Sequence, residues 1–431
     1  TSCYFEGNES ENNGSMNLEN KQGSLTVYDC KFYRNRSLSN AALTINHSSL
    51  AAFTLSLIEC EIKENSSKQS IVYARSQGHL QLNLKRCKIE SNTNTAIEIF
   101  NTQLTDEASL FWNNTSTLNA AIIVSFNSAA YLNNTQFIQN SCGKSSSTLN
   151  AILYSEVTCE GCLFYNNTAV ERSATVLIEK NSTGNFIRTQ FIRNHSQFSS
   201  VAIITQAFKG SFIECNFTDN TSLLLSTILV SQTTTTIISK ARFKDNYNRG
   251  ASEISILMGF AMISDSIFEG KAGTTVDMVY LYTFSSATFT RTTFSNKLGS
   301  GSGVSLFSST ADIRNCSFES LQGNSKAGAL NVGVESKISI YSSSFRNCSS
   351  TFHGGAVQVQ QSNVLINNST FDDLGYEALY IQSAQVTISN SSFTNIVGVA
   401  MRCIACYISS VSDTYFQSIR GNQGGAAYLE G

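Results

Sequence analysis

An aromatic or large apolar residue returns about every 26 positions along the whole chain. The series is Phe5, Phe32, Ile62, Ile89, Phe111, Phe137, Phe164, Phe191, Phe217, Phe243, Phe268, Phe294, Phe318, Phe345, Phe371, Phe393 and Phe416. Seventeen returns at this period are the mark of a solenoid, and they override the two or three domains that 431 residues would otherwise suggest. A second column lies five residues earlier, with Val27, Leu57, Leu84, Leu132, Phe186, Ile238 and Ile340 among its members and Asp106 as its one break. Small residues fill a third column two before the aromatic, as at Cys30, Ser109 and Thr189. Between these columns run alternating stretches such as Ala42-Leu-Thr-Ile45 and Ala356-Val-Gln-Val359. Alternation at period two predicts short strands with one buried face. A single coil cannot bury that face alone, so coils must stack in register into parallel sheets. Parallel crossovers are right-handed in nearly all cases. The chain is therefore read as one all-β domain, residues 1–431, a right-handed parallel β-helix of about 17 coils. The largest irregularities are expected around Asp106 and in the Ser141–Ser147 loop.

Three residues after the aromatic, ten successive coils carry asparagine: Asn8, Asn35, Asn65, Asn92, Asn114, Asn140, Asn167, Asn194, Asn220 and Asn246. Stacked amides can hydrogen-bond along the axis as a ladder. The simpler alternative is that asparagine merely tolerates a left-handed turn. The column then changes to Lys271, Lys297, Leu321, Cys348, Leu374, Ile396 and Ile419, so this corner must close differently in the last third.

Composition narrows the function. The chain has no proline, as suits strands hydrogen-bonded on both sides. Its 29 Lys+Arg and 31 Asp+Glu form no block, so there is no basic footprint for nucleic acid. No apolar run reaches the roughly 18 residues of a membrane helix. Twelve cysteines and eighteen Asn-x-Ser/Thr sequons point to the secretory route. Sequons on the ladder (Asn8, Asn35, Asn65, Asn114, Asn194, Asn220) are expected buried and unmodified. Glycans are expected at Asn13, Asn46 and Asn181, with Asn113, Asn133, Asn166, Asn216, Asn315, Asn347, Asn367, Asn368 and Asn390 as further candidates. Adjacent pairs such as Asn367 and Asn368 should carry one glycan each.

Cys3, Cys30, Cys60 and Cys87 share one inward column, where either disulfides such as Cys30–Cys60 or a stack of thiols is compatible with the spacing. Cys159-x-x-Cys162 and Cys403-x-x-Cys406 read as local disulfides or core packing before zinc sites, since nine coils separate the pairs. No metal or cofactor is expected.

The Phe-x-x-Asn repeat (Phe32–Asn35, Phe111–Asn114, Phe137–Asn140, Phe164–Asn167, Phe191–Asn194) resembles the repeat of chlamydial polymorphic outer-membrane proteins. Their second motif, Gly-Gly-Ala-aliphatic, is similar to Gly354-Gly-Ala-Val357 and loosely to Gly424-Gly-Ala-Ala427. The resemblance implies a pectin-lyase-like β-helix used as a surface-exposed adhesive passenger. Similar repeats occur in protist surface proteins, and the sequons fit a eukaryotic source better than a bacterial one.

Polysaccharide-cleaving enzymes share this fold class. Glycoside hydrolysis needs two facing carboxylates, for which Asp372 and Asp373 with His353-Gly354 are the best candidates. Their order is reversed from the polygalacturonase pattern. Asp245, Asp265, Asp277 and Asp312 are spread over different coils, and His47, His79, His195 and His353 over the whole chain. The reading is therefore non-enzymatic: a secreted structural glycoprotein forming a stiff rod, fibre or filament at a cell surface. Further copies or further coils would stack head to tail, because both ends fall mid-repeat. The alternative is an adhesin that binds carbohydrate or a receptor on a flat sheet face, with Tyr280-Leu-Tyr282 and Tyr131 as platforms. The single Trp112 argues against a strong sugar-stacking face.

Overall fold

The computed structural model describes all residues except 1, 13, 20–21, 119–120, 145, 147, 174, 251, 271–275, 325, 422–424 and 431. Lys271, Asn13, Ser145 and Ser147 thus lie outside the described residues. The chain divides into two compact units, Thr1–Leu223 and Leu224–Gly431. Among the described residues every regular element is a strand, and the pairings between strands are parallel.

In the first unit each coil passes through three sheets. One coil shows the plan. A five-residue strand of the third sheet, Thr183–Ile187, carries the aliphatic column, here Phe186. Arg188 turns the chain with φ 49°. The short strand Gln190–Ile192 follows and buries Phe191. Arg193 turns it again with φ 54°, and Asn194 enters the core. The strands His195–Ser196 and Ala202–Thr205 complete the coil on the second sheet. Register across coils is in phase, with Phe164↔Phe191↔Phe217 directly opposed. The rings stack at 4.8–5.1 Å from Phe137 through Phe217, the spacing of neighbouring strands.

The asparagine column is a ladder. The Asn65 main-chain N–H and its Nδ2 both donate to Asn92 Oδ1, at 3.0 and 3.1 Å. The second Nδ2 hydrogen goes back to the Phe32 carbonyl at 2.9 Å. The same three bonds recur from Asn92 through Asn194. Each amide thus satisfies its own polar atoms and those of a corner that would otherwise be orphaned. The turn reading fails on a specific point. The left-handed residue is the one before the rung, as at Glu64, Asn113, Gln139 and Arg193, and no rung has positive φ. Asn8, the first rung, departs from expectation in being exposed, although it donates to Asn35 Oδ1 at 2.8 Å.

Two further ladders run where the sequence showed only small residues. Main-chain N–H groups donate to hydroxyls one coil on, as Thr102 to Ser128 and Ser155 to Ser182. In the second unit the column before the aromatic does the same through Ser343, Ser369 and Ser391.

The second unit keeps the aromatic stack from Phe243 to Phe416. Its asparagine corner changes character. Strands run on past the turn, as in Thr293–Gly299 and Ser317–Gly323, pairing Lys297 with Leu321. Leu321, Cys348, Leu374 and Ile396 fill the corner with apolar volume. The following turn is tight. A Cβ on Gly328 would meet the carbonyl oxygens of Leu321, Gly355 and Ser349 within 2.8 Å, which accounts for the glycines there.

Asp106 does not break its sheet, contrary to expectation. It pairs in register between Leu84 and Leu132. Register shifts fall instead between Ser66 and Ser70 and between Val386 and Thr387. The carboxyl sits in the core, where Thr135 donates to it, and burial pushes its pKa up to about 6. Its folded-state pKa therefore lies above the ordinary 3.8, so its contribution is full below that value and lost as pH rises through 6. Asp106→Leu, which restores the aliphatic column, is expected to stabilise the protein more at pH 8 than at pH 4. Urea melts at the two pH values measure this, and an equal gain at both would refute it.

Candidate functional site

The second unit holds two polar clusters and one aromatic face. The first cluster closes the asparagine corner. Thr227 Oγ1 donates to Glu253 Oε2 at 2.9 Å, and Asn246 and Asn248 also bond this carboxyl. Glu253 thus accepts from Asn246, the last asparagine of the column. Burial outweighs these bonds and pushes its pKa up to about 7. Beyond it Asp277 accepts from the Ser302 N–H at 2.6 Å and pairs with Lys326 at 3.1 Å. Lys297 is buried and donates to the Gly301 carbonyl, and burial pulls its ammonium down to about 8. The cavity among these groups is about 10 Å³, room for a single water at most. The cluster can hold protons and has no space for a substrate.

The second cluster joins three coils. Arg402 Nη1 lies 3.0 Å from Glu377 Oε1, and His353 Nδ1 lies 3.8 Å from Glu377 Oε2. The His353 ring stacks on Tyr380 at 4.1 Å. The sequence suggests His353 with Asp372 and Asp373 as one site. The structure gives them different partners: Asp372 accepts from Thr394 at 2.6 Å and Asn395 at 3.0 Å, on the aromatic sheet. These bonds, Thr394 first, hold its carboxyl below the usual range. Asp265 is bound by Arg291, and Asp312 by Arg314. Among the described residues no group of three or more His, Cys, Asp or Glu can hold a metal.

The aromatic face lies on the outer side of the second sheet. Tyr280 and Tyr282 stack at 5.8 Å, and Tyr282 and Phe307 approach to 6.0 Å across adjacent coils. Tyr131, the other proposed platform, is exposed on the third sheet of the first unit and donates to Glu160 at 2.7 Å. Trp112 donates to Gln139 at 2.8 Å.

Cys403 and Cys406 form a disulfide, with Cα atoms 5.8 Å apart. The other candidate bridges are corrected. Cys60, Cys159 and Cys162 are buried thiols, and Cys30 donates its thiol hydrogen to the Tyr28 carbonyl. In-register stacking turns these side chains the same way, so the sulfurs stay unbridged and Cys30, Cys60 and Cys162 each reach a main-chain carbonyl. Cys60 reaches Val27 O at 3.5 Å, and Cys162 reaches Leu132 O at 3.4 Å. The Cys87 hydrogen bond lowers the Cys60 pKa to about 7, while burial first raises that of Cys159.

The sequons separate by environment. Asn35, Asn65, Asn114, Asn194 and Asn220 are buried rungs. Asn113, Asn166, Asn181, Asn216, Asn315, Asn347, Asn368 and Asn390 are exposed, and all but Asn216 occupy left-handed turn positions. Asn46, expected to be exposed, is half-buried beside His47 and Arg75 in an open groove of about 330 Å³. Asn133 and Asn367 are half-buried at strand ends.

Residues 277–431 match a family model described as the right handed beta helix region. The hand of the coil is therefore right-handed, as the crossover rule predicts. No curated protein matches the chain. Among solved structures, the Vag8–C1 inhibitor complex is similar at 10% identity, covering 94% of this chain and 100% of that one, with a TM-score of 0.47. A PL6 family alginate lyase, AlyGC, is similar at 9% identity, covering 97% and 95%, with a TM-score of 0.26. Among the described residues no helix is long and apolar enough to cross a membrane.

Proposed function

We propose that the chain is an extracellular structural glycoprotein, a non-enzymatic β-helical scaffold at a cell surface. The observation that carries this reading is the division of the sequons. Glycan acceptors recur at solvent-facing turns, while the asparagines that hold the coils together lie inside. A chain with only 14% charged residues gains its hydration from such a coat. The ladders and the ring stack give every coil the same fixed spacing, which suits a stiff support. The candidate catalytic carboxylates support a non-enzymatic role, because Asp265, Asp312 and Asp372 are each engaged by separate neighbours.

Glycopeptide mapping of protein secreted from a eukaryotic host tests the proposal. Occupancy is expected at Asn113, Asn166, Asn181, Asn216, Asn315, Asn347, Asn368 and Asn390, and none at Asn35, Asn65, Asn114, Asn194 and Asn220. An unglycosylated native protein would overturn it.

A further inference from the structure

Of the eighteen sequons, two directly follow an aromatic residue: Trp112-Asn-Asn-Thr115 and Tyr165-Asn-Asn-Thr168. One arrangement recurs at both. Asn113 and Asn166 are exposed in left-handed turns, each with φ 52°. Each follows a short strand of the first sheet that buries its central phenylalanine, so the last side chain, Trp112 or Tyr165, faces outward. That ring is held toward the turn of the next coil. Trp112 Nε1 donates to Gln139 Oε1 at 2.8 Å, and Arg193 Nη1 donates to the Tyr165 hydroxyl at 3.2 Å. Gln139 and Arg193 occupy the same left-handed position as the two acceptors. The turn column is continuous: the N–H groups of Asn113, Gln139 and Asn166 donate to the carbonyls of Ile138, Tyr165 and Ile192 at 3.0 Å. It therefore alternates a glycan acceptor with a residue that braces a ring. The tip of each ring reaches a side chain about one strand step, ~4.8 Å, from its own acceptor.

Register adds an apolar neighbour to each ring, Ile138 beside Trp112 and Ile192 beside Tyr165, on the same outward column. The fold leaves this surface wet. Trp112 is 38% exposed, with Lys88 Nζ 5.7 Å from the ring centroid. The tether identifies the occupant. An asparagine-linked glycan begins with a neutral N-acetylglucosamine, whose C–H face and acetyl methyl match an aromatic surface. The two acceptors stand two strand steps apart, about 10 Å, so their first sugars do not compete for space. We propose that the first sugar on Asn113 packs against Trp112 and Ile138, and the first sugar on Asn166 against Tyr165 and Ile192. This packing presupposes the glycosylation proposed above. The two glycans then form part of the folded surface, covering an apolar column that the chain itself leaves open.

Trp112 is the only tryptophan in the sequence, so its fluorescence reads the contact directly. The full chain, secreted with high-mannose glycans, is compared with Asn113→Gln for quenching by acrylamide, a neutral probe. Glutamine fits this turn, because Gln139 holds the same conformation one coil on. The quenching constant is expected to be at least ~2-fold lower in the parent, where the sugar covers the ring. Trimming with endoglycosidase H, which leaves one sugar, should keep the protection. Trp112→Phe combined with Tyr165→Trp moves the reporter beside Asn166, where Asn166→Gln should abolish the same protection. Circular dichroism of each variant checks that it folds. Glycopeptide mapping separates the two ways of failing. Occupied Asn113 and Asn166 with quenching equal to that of the glutamine variants would overturn the packing and leave the glycoprotein reading standing. Empty Asn113 and Asn166 beside occupied turns elsewhere would overturn the packing alone, and a chain without any glycan would overturn both. Protection that appears only at raised protein concentration would assign the column to a second copy and likewise overturn the proposal.

Discussion

Asn140→Leu is expected to destabilise the protein by about 3–5 kcal/mol, far more than its size suggests. The substitution removes the Oδ1 that accepts from the Asn114 N–H at 3.1 Å and from Asn114 Nδ2 at 3.0 Å. It also removes the donor to the Phe111 carbonyl at 2.9 Å and to Asn167 Oδ1 at 3.1 Å. Two main-chain groups are then buried without partners, at about 1–3 kcal/mol each, and the neighbouring amides lose part of their bonding. Leucine matches the volume and supplies none of these bonds. Asn166→Gly is the control. Asn166 is exposed with φ 52°, a conformation glycine adopts without strain, so its loss should cost less than about 0.5 kcal/mol. Guanidinium denaturation of the two variants decides between ladder and turn. If Asn166→Gly proves the costlier change, the asparagines serve the turn and the ladder account fails.

The second large effect is on pH. Glu253 has a folded-state pKa of about 7 against an ordinary 4.5. The native state therefore holds this proton more tightly than the unfolded chain does. That stabilisation is complete below pH 4.5 and fades as pH rises through 7. A difference of this size corresponds to something on the order of 3 kcal/mol between pH 4.5 and pH 8. Lys297 works in the opposite sense and at higher pH. Its folded-state pKa of about 8 lies below the ordinary 10.5, so its cost is relieved only as pH climbs above 8. Between pH 5 and 7 the slope in this unit belongs to Glu253. Glu253→Gln keeps an oxygen for the Thr227 and asparagine donors and cannot ionise. The variant is expected to lose most of the decline in stability between pH 5 and 8 and to exceed the parent at pH 8. Thermal melts across this range measure it. A variant whose melting follows the parent's pH profile would show that Glu253 does not control that decline.

Much of this architecture could be read from residues before any coordinates, and the reasons are physical. Phe137, Phe164 and Phe191 recur because stacked rings need one position per coil, and Asn140, Asn167 and Asn194 because only an amide both accepts and donates twice at a corner. The hydroxyl ladders were less visible. Serine, threonine and cysteine alternate at Ser109, Thr135 and Cys162, and a mixed column reads only as small. The left-handed turns were invisible as a class. Glu64, Ala108, Arg188 and Gln139 occupy them, because the side chain there points to solvent and leaves no compositional trace. The cysteine column promised disulfides that Cys30 and Cys60 do not form, since equal spacing says nothing about the direction of a sulfur. Tyr280 and Tyr282 stood out as aromatics. Glu377 and Arg402 did not, because they lie in different coils and meet only through register.

One segment of the coil never changes length. Seven positions separate the last residue of the third-sheet strand from the following rung, whether Ile58 to Asn65, Glu107 to Asn114 or Ile187 to Asn194. Yet successive rungs are separated by 30 residues between Asn35 and Asn65 and by 22 between Asn92 and Asn114. All of the difference falls after the rung, where Thr93–Phe100 runs as one uninterrupted strand in the short coil and a loop divides Arg36–Ser37 from Leu43–His47 in the long one. The constant segment works as a gauge that resets the register at each turn, and the variable one as a socket. Sequence of almost any length can be plugged into the socket without misaligning the next ring or amide. A single residue gained or lost in the gauge would turn every following side chain of that strand to the wrong face.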